Sequence, residues 1–438
     1  IQNADDAPGA DTITFDIHED ALIVDNNGVF SDCGAVGKRS CLWKDEPGKR
    51  HYCDFHRFQS IASADKRVEE DTTGAFGIGF IAVYQLTDYP ELISNGRHWI
   101  HHEENPEDKR IIVCDGCKHC QRSGLPGTRF ILPWAMNPHS PIRRELRAET
   151  MTATKKKDFL AELQASLPVA MIFLKKINFI EIKSKGKLIK RLEQVSDQEG
   201  LIIKDGDFKN DVRWTILEGS FEEEAEELRK QNPGRIEEKR SHKIQIAIPD
   251  KPIARGLLCA CLPTEQDTGL PFHINADFFP SSDRKKVILA DDYQSRWNRA
   301  AIKGASTTLA ESLGRLPQLC GHKYLWEIIV SVFGVSQTAK KDGQEKAFSC
   351  FWEDLYPVLR KSPVVFTEAE KWLEPSDVFL LGSEDEEEAQ SIFDMLEMDI
   401  VHRDIRSLIY RHHMRYVEDL QIRRLELEHL IEALRDNG

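Results

Sequence analysis

Four short runs carry residue types that could hold a nucleotide. The first is Asn3-Ala4-Asp5-Asp6-Ala7. In a helix, Asn3 and Asp6 stand three apart and share a face, where oxygen donors suit a hard ion such as Mg²⁺. The second is Val24-Asp25-Asn26-Asn27-Gly28. A carboxylate at a strand end, Asp25, can accept a hydrogen bond from the adenine amine, and Gly28 lets backbone approach the base. The third, Gly74-Ala75-Phe76-Gly77-Ile78-Gly79-Phe80, would offer backbone N–H groups at a helix start to phosphates. The fourth is Gly127-Thr128-Arg129-Phe130, whose Thr128 hydroxyl could assist Asp25 at the adenine. Each run also has a plain structural reading: a capped helix end, an Asn-Gly turn, a loop, a strand threonine. Their order is what gives them weight together.

The glycine spacing is GxxGxG, unlike the GxGxxG of a dinucleotide fold, and Gly37-Lys38-Arg39-Ser40 does not complete a P-loop. Metal chemistry is a separate option. Cys53-Asp54-Phe55-His56 and Cys114-Asp115-Gly116-Cys117 are chelating pairs, with Cys120 three residues further on. Zinc takes four Cys or His ligands, so Cys53, His56, Cys114 and Cys117 would make one set, with Cys120 as a substitute. A set of free thiols is the alternative reading.

The elements that must position these groups can be sketched from pattern. Thr12–Phe15 and Ala21–Val24 flank a His-Glu-Asp turn and predict a hairpin. Residues 32–68 lack periodicity and read as a long loop or lid. Residues 80–86 predict a helix start, and 111–113 and 130–132 strands. Phe159–Leu167 predicts a helix that stops at Pro168, followed by strands at 169–173 and 179–182. Residues 221–230 read as a Glu-rich connection, 244–248 as a strand of period two, and 293–313 as a helix. The leucines and isoleucines of 420–431 predict a terminal packing helix. Three regions follow: 1–150, 151–330 and 331–438.

Composition excludes some classes. With 40% hydrophobic and 30% charged residues, the chain reads as an ordinary soluble protein of more than one domain. No run of about 18 apolar residues predicts a membrane span. The start at Ile1 has neither an initiator methionine nor a signal-peptide pattern, so upstream residues are expected. Ten cysteines without a secreted framework favour a reducing, cytoplasmic setting. A formal charge of −14 disfavours a whole-surface nucleic-acid binder, although basic residues at 155–157, 175–176 and from Lys183 to Arg191 form a local basic stretch.

Taken with Val83-Tyr84-Gln85-Leu86-Thr87-Asp88-Tyr89-Pro90, the first, third and fourth runs resemble the sacsin-type units of the GHKL ATPases. Leu270-Pro271-Phe272-His273-Ile274-Asn275 with Ser281-Ser282-Asp283-Arg284, then Trp297-Asn298 and Trp372–Asp377, resemble that family's later landmarks. The resemblance implies an α+β protein. It would have a Bergerat-type α/β sandwich binding ATP under a lid (1–150), a transducer-like α/β domain (151–330) and a mostly helical C-terminal region (331–438). It implies Mg²⁺ at Asn3 with Asp6, adenine at Asp25, Gly28 and Thr128, and phosphates at Gly74, Phe76, Gly77, Ile78, Gly79 and Phe80. By placement, Arg284 resembles the second-domain cation that meets a γ-phosphate. The implied function is ATP binding and hydrolysis driving a chaperone-like or defence-type switch, with protein partners, further domains or a homo-oligomer. An ATP-sensing module and a MutL- or gyrase-like subunit on nucleic acid remain open. Two departures stand out. The usual general-base Glu would precede Ile1, and Asp-Asn-Asn-Gly replaces Asp-x-Gly-x-Gly. The family pattern carries no such cysteine cluster.

Overall fold

Apolar–polar alternation along the first strands separates an apolar face from one that carries polar side chains beside a small buried cluster of Ala21, Ile93 and Ile131. The computed structural model describes residues 1–36, 40–44, 46, 52–61, 80, 82–117, 127–198, 200–206, 211–253, 255–281, 283–338, 345–381, 391, 398–412, 420–426, 429, 431 and 435. They divide into two compact units, Ile1–Val212 and Arg213–Gly438.

In the first unit the elements run α1 (Gln2–Asp6), β1 (Thr12–Ile17), β2 (Ala21–Asn26), α2 (Asp54–Ile61), β3 (Glu91–Ser94), β4 (Arg97–His101), β5 (Ile111–Val113), β6 (Thr128–Pro133), α3 (Pro141–Leu146), α4 (Ala153–Met171), β7 (Phe179–Ser184), β8 (Lys187–Ser196) and β9 (Leu201–Lys204). The sheet order is β9-β8-β7-β1-β2-β6-β3-β4-β5. The β1–β2 hairpin is antiparallel, and β1 pairs in parallel with β7. That pairing places residues beyond 150 inside the first unit, so the division at 212 differs from the expected boundary near 150.

Register fixes the two faces. Val24 lies opposite Phe130, and Phe130 opposite Leu92; Ile13 and Phe15 lie on the same side opposite Asn26 and Val24. These side chains form the buried face, joined by Ile180 and Ile182 of β7. The other face carries Thr14, Asp16, Asp25 and Arg129, because successive side chains point to opposite sides of a strand.

The second unit holds β10 (Val212–Ser220), α5 (Glu222–Gln231), β11 (Lys243–Pro249), β12 (Leu257–Ala260), β13 (Leu262–Asp267), β14 (His273–Ala276), α6 (Tyr293–Glu311), α7 (Leu316–Thr338), α8 (Cys350–Leu359), β15 (Val365–Phe366), β16 (Trp372–Leu373), β17 (Phe379–Leu380), α9 (Arg403–Arg411) and β18 (Arg423–Arg424). Its main sheet runs β13-β12-β14-β11-β10. Trp297, Ala301, Ile302, Ala305 and Leu309 of α6 are fully buried against Ile244, Ile246 and Ile274. Asp292 caps α6 by accepting the Ser295 N–H.

Several local expectations change. Pro168 lies inside α4, which runs on through Met171, so the strand expected at 169–173 is helix end and turn. A helical proline frees the carbonyl four residues earlier; here Gln164 O accepts from Lys190 Nζ at 3.4 Å. The Glu-rich connection is helix α5, with acids in its first turn, basic residues in its last, and Ala225 and Leu228 buried. Phe80 is helical, and a 3₁₀ turn, Ala82–Gln85, covers much of the rest of the expected helix start. The terminal helix is interrupted, since β18 pairs in parallel with β17. No helix among the described residues is long and apolar enough to cross a membrane.

Candidate functional site

The end of α1, the turn after β2 and the start of β6 meet at one end of the first unit's sheet. A Cβ on Gly28 would lie 3.1 Å from the Cβ atoms of both Ala7 and Ala10, so glycine lets the turn seat against the residues following α1. Gly127 has φ +143°, and a Cβ there would lie 2.2 Å from the Asn26 carbonyl oxygen. Both glycines therefore serve close backbone approach around Asn26-Asn27-Gly28. Asn27 is occupied structurally. Its Oδ1 accepts the Asp11 and Thr12 N–H groups, at 2.9 and 3.2 Å, and its Nδ2 donates to Asp11 at 2.7 Å.

Thr128 is buried and donates to the Gly28 carbonyl at 2.8 Å. The Ser94 hydroxyl lies 2.8 Å from it and accepts the Phe30 N–H at 3.0 Å. Register places Asn26 and Ser94 opposite Thr128 on the buried face. Asn26 Oδ1 accepts the Gly28 N–H at 3.0 Å. Behind them, Phe30, Phe55, Phe58, Phe80, Phe130 and Trp99 pack edge-on and tilted into an aromatic cluster.

The structure does not bring Asp25 to Thr128. Asp25 opposes Arg129, on the polar face of the sheet. Its carboxylate accepts two hydrogen bonds from Arg129 Nε and Nη2, at 2.7 and 2.8 Å. The residue that shares Thr128's face is Asn26. The sequence signal that could have found it is strand parity counted back from Thr128, which requires the β2–β6 register.

On α1, Asn3 is half-buried and Asp6 exposed. Asp5 is the buried acid, and its carboxylate accepts the backbone N–H groups of Lys175, Lys176 and Ile177 at 2.7–3.0 Å. Asp5 thus ties α1 to the turn after α4. Gly74, Phe76, Gly77, Ile78 and Gly79 lie outside the described residues, as does Cys120.

Other motif residues turn out to hold the fold. Asp88 pairs with the buried Arg143 of α3 at 2.6 Å, and Arg143 also donates to the carbonyls of Tyr84, Gln85 and Thr87. Tyr84 OH lies 2.6 Å from His101 Nδ1. Burial pushes His101 down to about 4 and the Tyr84 phenol up, so a neutral imidazole accepts from the phenol. In the second unit His273 Nδ1 accepts the Leu257 N–H at 3.0 Å, and burial also pushes that imidazole down to about 4. Asn298 accepts the Phe279 N–H and donates to the Phe279 and Ile288 carbonyls, pinning the loop between them. Arg284 stands exposed in that loop with φ 57°, in a turn closed by the Pro280–Val287 bridge.

The basic stretch is interleaved with acids: Lys183 and Arg191 pair with Glu181, Lys190 with Asp205, and Lys155 with Glu149. The cysteines regroup as well. Cys53 and His56 converge with Cys33 and Cys41, while Cys114 and Cys117 converge with His98, so the expected mixed set does not form.

Residues 1–106 match the family model of the Sacsin domain. No curated protein matches the chain. Among solved structures, the chain is similar to the N-terminal domain of a DNA repair protein, at 13% identity over 72% of this chain and 92% of that one, with a TM-score of 0.35. It is also similar to the ATPase and transducer domains of DNA topoisomerase II from Balamuthia mandrillaris, at 11% identity over 68% and 79%, with a TM-score of 0.28. The segment bearing α1, the Asn26–Gly28 turn and the aromatic cluster's first members lies within residues 1–106, the part of the chain that is similar to the Sacsin domain.

Proposed function

We propose that this chain binds Mg²⁺-ATP at the sheet end built by α1, Gly28 and Thr128, and hydrolyses it in the manner of the GHKL ATPases. The observation that supports this reading is the convergence of three separate runs on one end of the buried face, two of them inside the Sacsin-domain match. The donor set suits the ligand. Asn3 and Asp6 offer oxygen to a hard cation, and the close-packed Gly28 and Gly127 leave backbone, Asn26 and Thr128 to face a planar base. Bound Mg²⁺ would offset phosphate charge. Asn26 and Thr128 would orient the adenine, and the aromatic cluster would exclude water behind it. The Gly74, Gly77 and Gly79 backbone is proposed to cradle phosphates through its N–H groups. The output would be a conformational switch of chaperone-like or defence type.

A second reading, an ATP sensor with little turnover, is favoured by Asp5. The buried acid of α1 is held by three backbone N–H groups, which suits a structural role rather than a general base. Titration calorimetry with a non-hydrolysable ATP analogue, with and without Mg²⁺, tests binding; phosphate release tests turnover. Absence of Mg²⁺-dependent binding by the full chain would overturn both readings.

A further inference from the structure

Three thiols and one imidazole from separated segments meet beside the aromatic cluster. Cys33 lies in the extended stretch after the Asn26–Gly28 turn, and Cys41 opens a tight turn. Cys53 immediately precedes α2, and His56 lies in the helix's first turn. One ligand atom from each lies within 4.8 Å of all the others. His56 Nδ1 is 3.1 Å from Cys53 Sγ and 3.5 Å from Cys33 Sγ. Cys41, Cys53 and His56 are almost fully buried. The Cys53 N–H donates to Cys41 Sγ at 3.3 Å, a bond that steadies a thiolate.

We propose that Cys33, Cys41, Cys53 and His56 form a closed structural zinc centre. Zinc bonds of about 2.3 Å to sulfur and about 2.0 Å to nitrogen give tetrahedral edges of roughly 3.5–3.8 Å, close to the separations above. Cys53 and His56 form a short chelating pair at the helix start, whereas Cys33 and Cys41 arrive from the segment before it. The metal would therefore tie Cys33 and Cys41 to the start of α2. Four protein ligands leave no open position, so the role is to hold the segment rather than to activate water.

A different observation carries a second centre. His98 Nε2 lies 2.8 Å from Glu91 Oε2, which turns Nδ1 toward Cys117 Sγ at 3.5 Å. Cys114 completes a group within 4.8 Å, and its N–H donates to the His98 carbonyl at 2.9 Å. A carboxylate on the far nitrogen of a ligating histidine fixes its tautomer and raises its basicity. Strand β4 and the segment leaving the edge strand β5 thus present His98, Cys114 and Cys117 to a zinc ion of their own.

The test is elemental analysis of the full chain purified without chelators, followed by replacement of the metal with Co²⁺. Two zinc equivalents are expected. Cys41→Ser should lose one and Cys114→Ser the other. The cobalt form of the unaltered chain should show thiolate-to-metal charge transfer and the strong visible bands of tetrahedral cobalt, a readout that needs no variant to fold. A zinc-free chain that gives no such bands with Co²⁺ would overturn both centres. One equivalent, lost in Cys41→Ser and kept in Cys114→Ser, would overturn the second alone. One equivalent lost in either variant would mean a shared site and overturn the two-centre assignment.

Discussion

Substituting Asp25 and Asn26 separately distinguishes a fold-holding acid from a ligand-reading amide one residue away. Asp25→Ala removes both hydrogen bonds to Arg129. The Asp25 side chain is 33% exposed and that of Arg129 15%, so water reaches the guanidinium left behind. The cost falls between that of a surface pair, about 0–1 kcal/mol, and that of breaking a buried one, about 3–5 kcal/mol. About 1–2 kcal/mol of stability should be lost, with ATP affinity changed less than about threefold, a shift worth under about 0.7 kcal/mol. Asn26→Ala removes an acceptor for the Gly28 N–H, worth about 1 kcal/mol, and by the proposal a contact to the base. ATP affinity should fall by about tenfold or more, a change of about 1.4 kcal/mol. An amide can offer either its oxygen or its NH₂ to the base, so Asn26→Asp should sharpen the preference for ATP over GTP. Urea unfolding and titration calorimetry on the same preparations separate the effects. Loss of ATP binding in Asp25→Ala at unchanged stability would refute the face assignment and return Asp25 to the adenine.

Asp88→Ala strands the Arg143 guanidinium in the interior and should cost about 3–5 kcal/mol, read as a lower urea midpoint. His101, ordinarily near 6.5 and here pushed down to about 4, stays neutral while the unfolded chain takes up a proton. Stability should therefore fall as pH drops from about 6.5 to about 4, by at most about 3 kcal/mol, and His101→Gln should flatten that slope in denaturant titrations. Arg284→Ala should lower turnover by on the order of 10²-fold with ATP affinity little changed, measured by steady-state phosphate release; wild-type turnover would assign Arg284 a surface role.

Legibility in the sequence followed the range of the physics involved. The β1–β2 hairpin, β11 and α6 were readable because alternation and the Asp292 cap are local signals. Pro168 misled because the compensation for its missing hydrogen bond comes from Lys190, on a strand packed against the helix. Helix α5 was hidden by its glutamates, whose placement in the first turn supports the helix dipole while only Ala225 and Leu228 mark the buried stripe. The chelating pairs were visible as spacing, but which pair joins which partner was not. Cys33 and Cys41 carry no short-range signal, and His98 reaches Cys117 only across the β4–β5 edge. Asp25 has the charge that suits an adenine amine, yet register decides which face a strand residue serves, and register is not a local property of the sequence.

The hydroxyl pair at the sheet end links the candidate nucleotide site to the segment that follows it. One chain of hydrogen bonds runs from the Phe30 N–H to Ser94, from Ser94 to Thr128, and from Thr128 to the Gly28 carbonyl. Residues 28–30 are thus clamped at both ends by two buried side chains. The next residue, Ser31, exchanges hydrogen bonds with Asp54 at the start of α2, and Asp32 is held by Arg97. A ligand that accepts the Thr128 hydroxyl proton must take it from Gly28, because one hydroxyl has one proton to donate. Releasing Gly28 loosens the clamp on Phe30, whose ring packs edge-on against Phe55 and Phe58 of α2. Binding at the base would then be felt at α2 through packing and hydrogen bonds already in place. The Ser31–Asp54 and Asp32–Arg97 pairs set how far that displacement could travel.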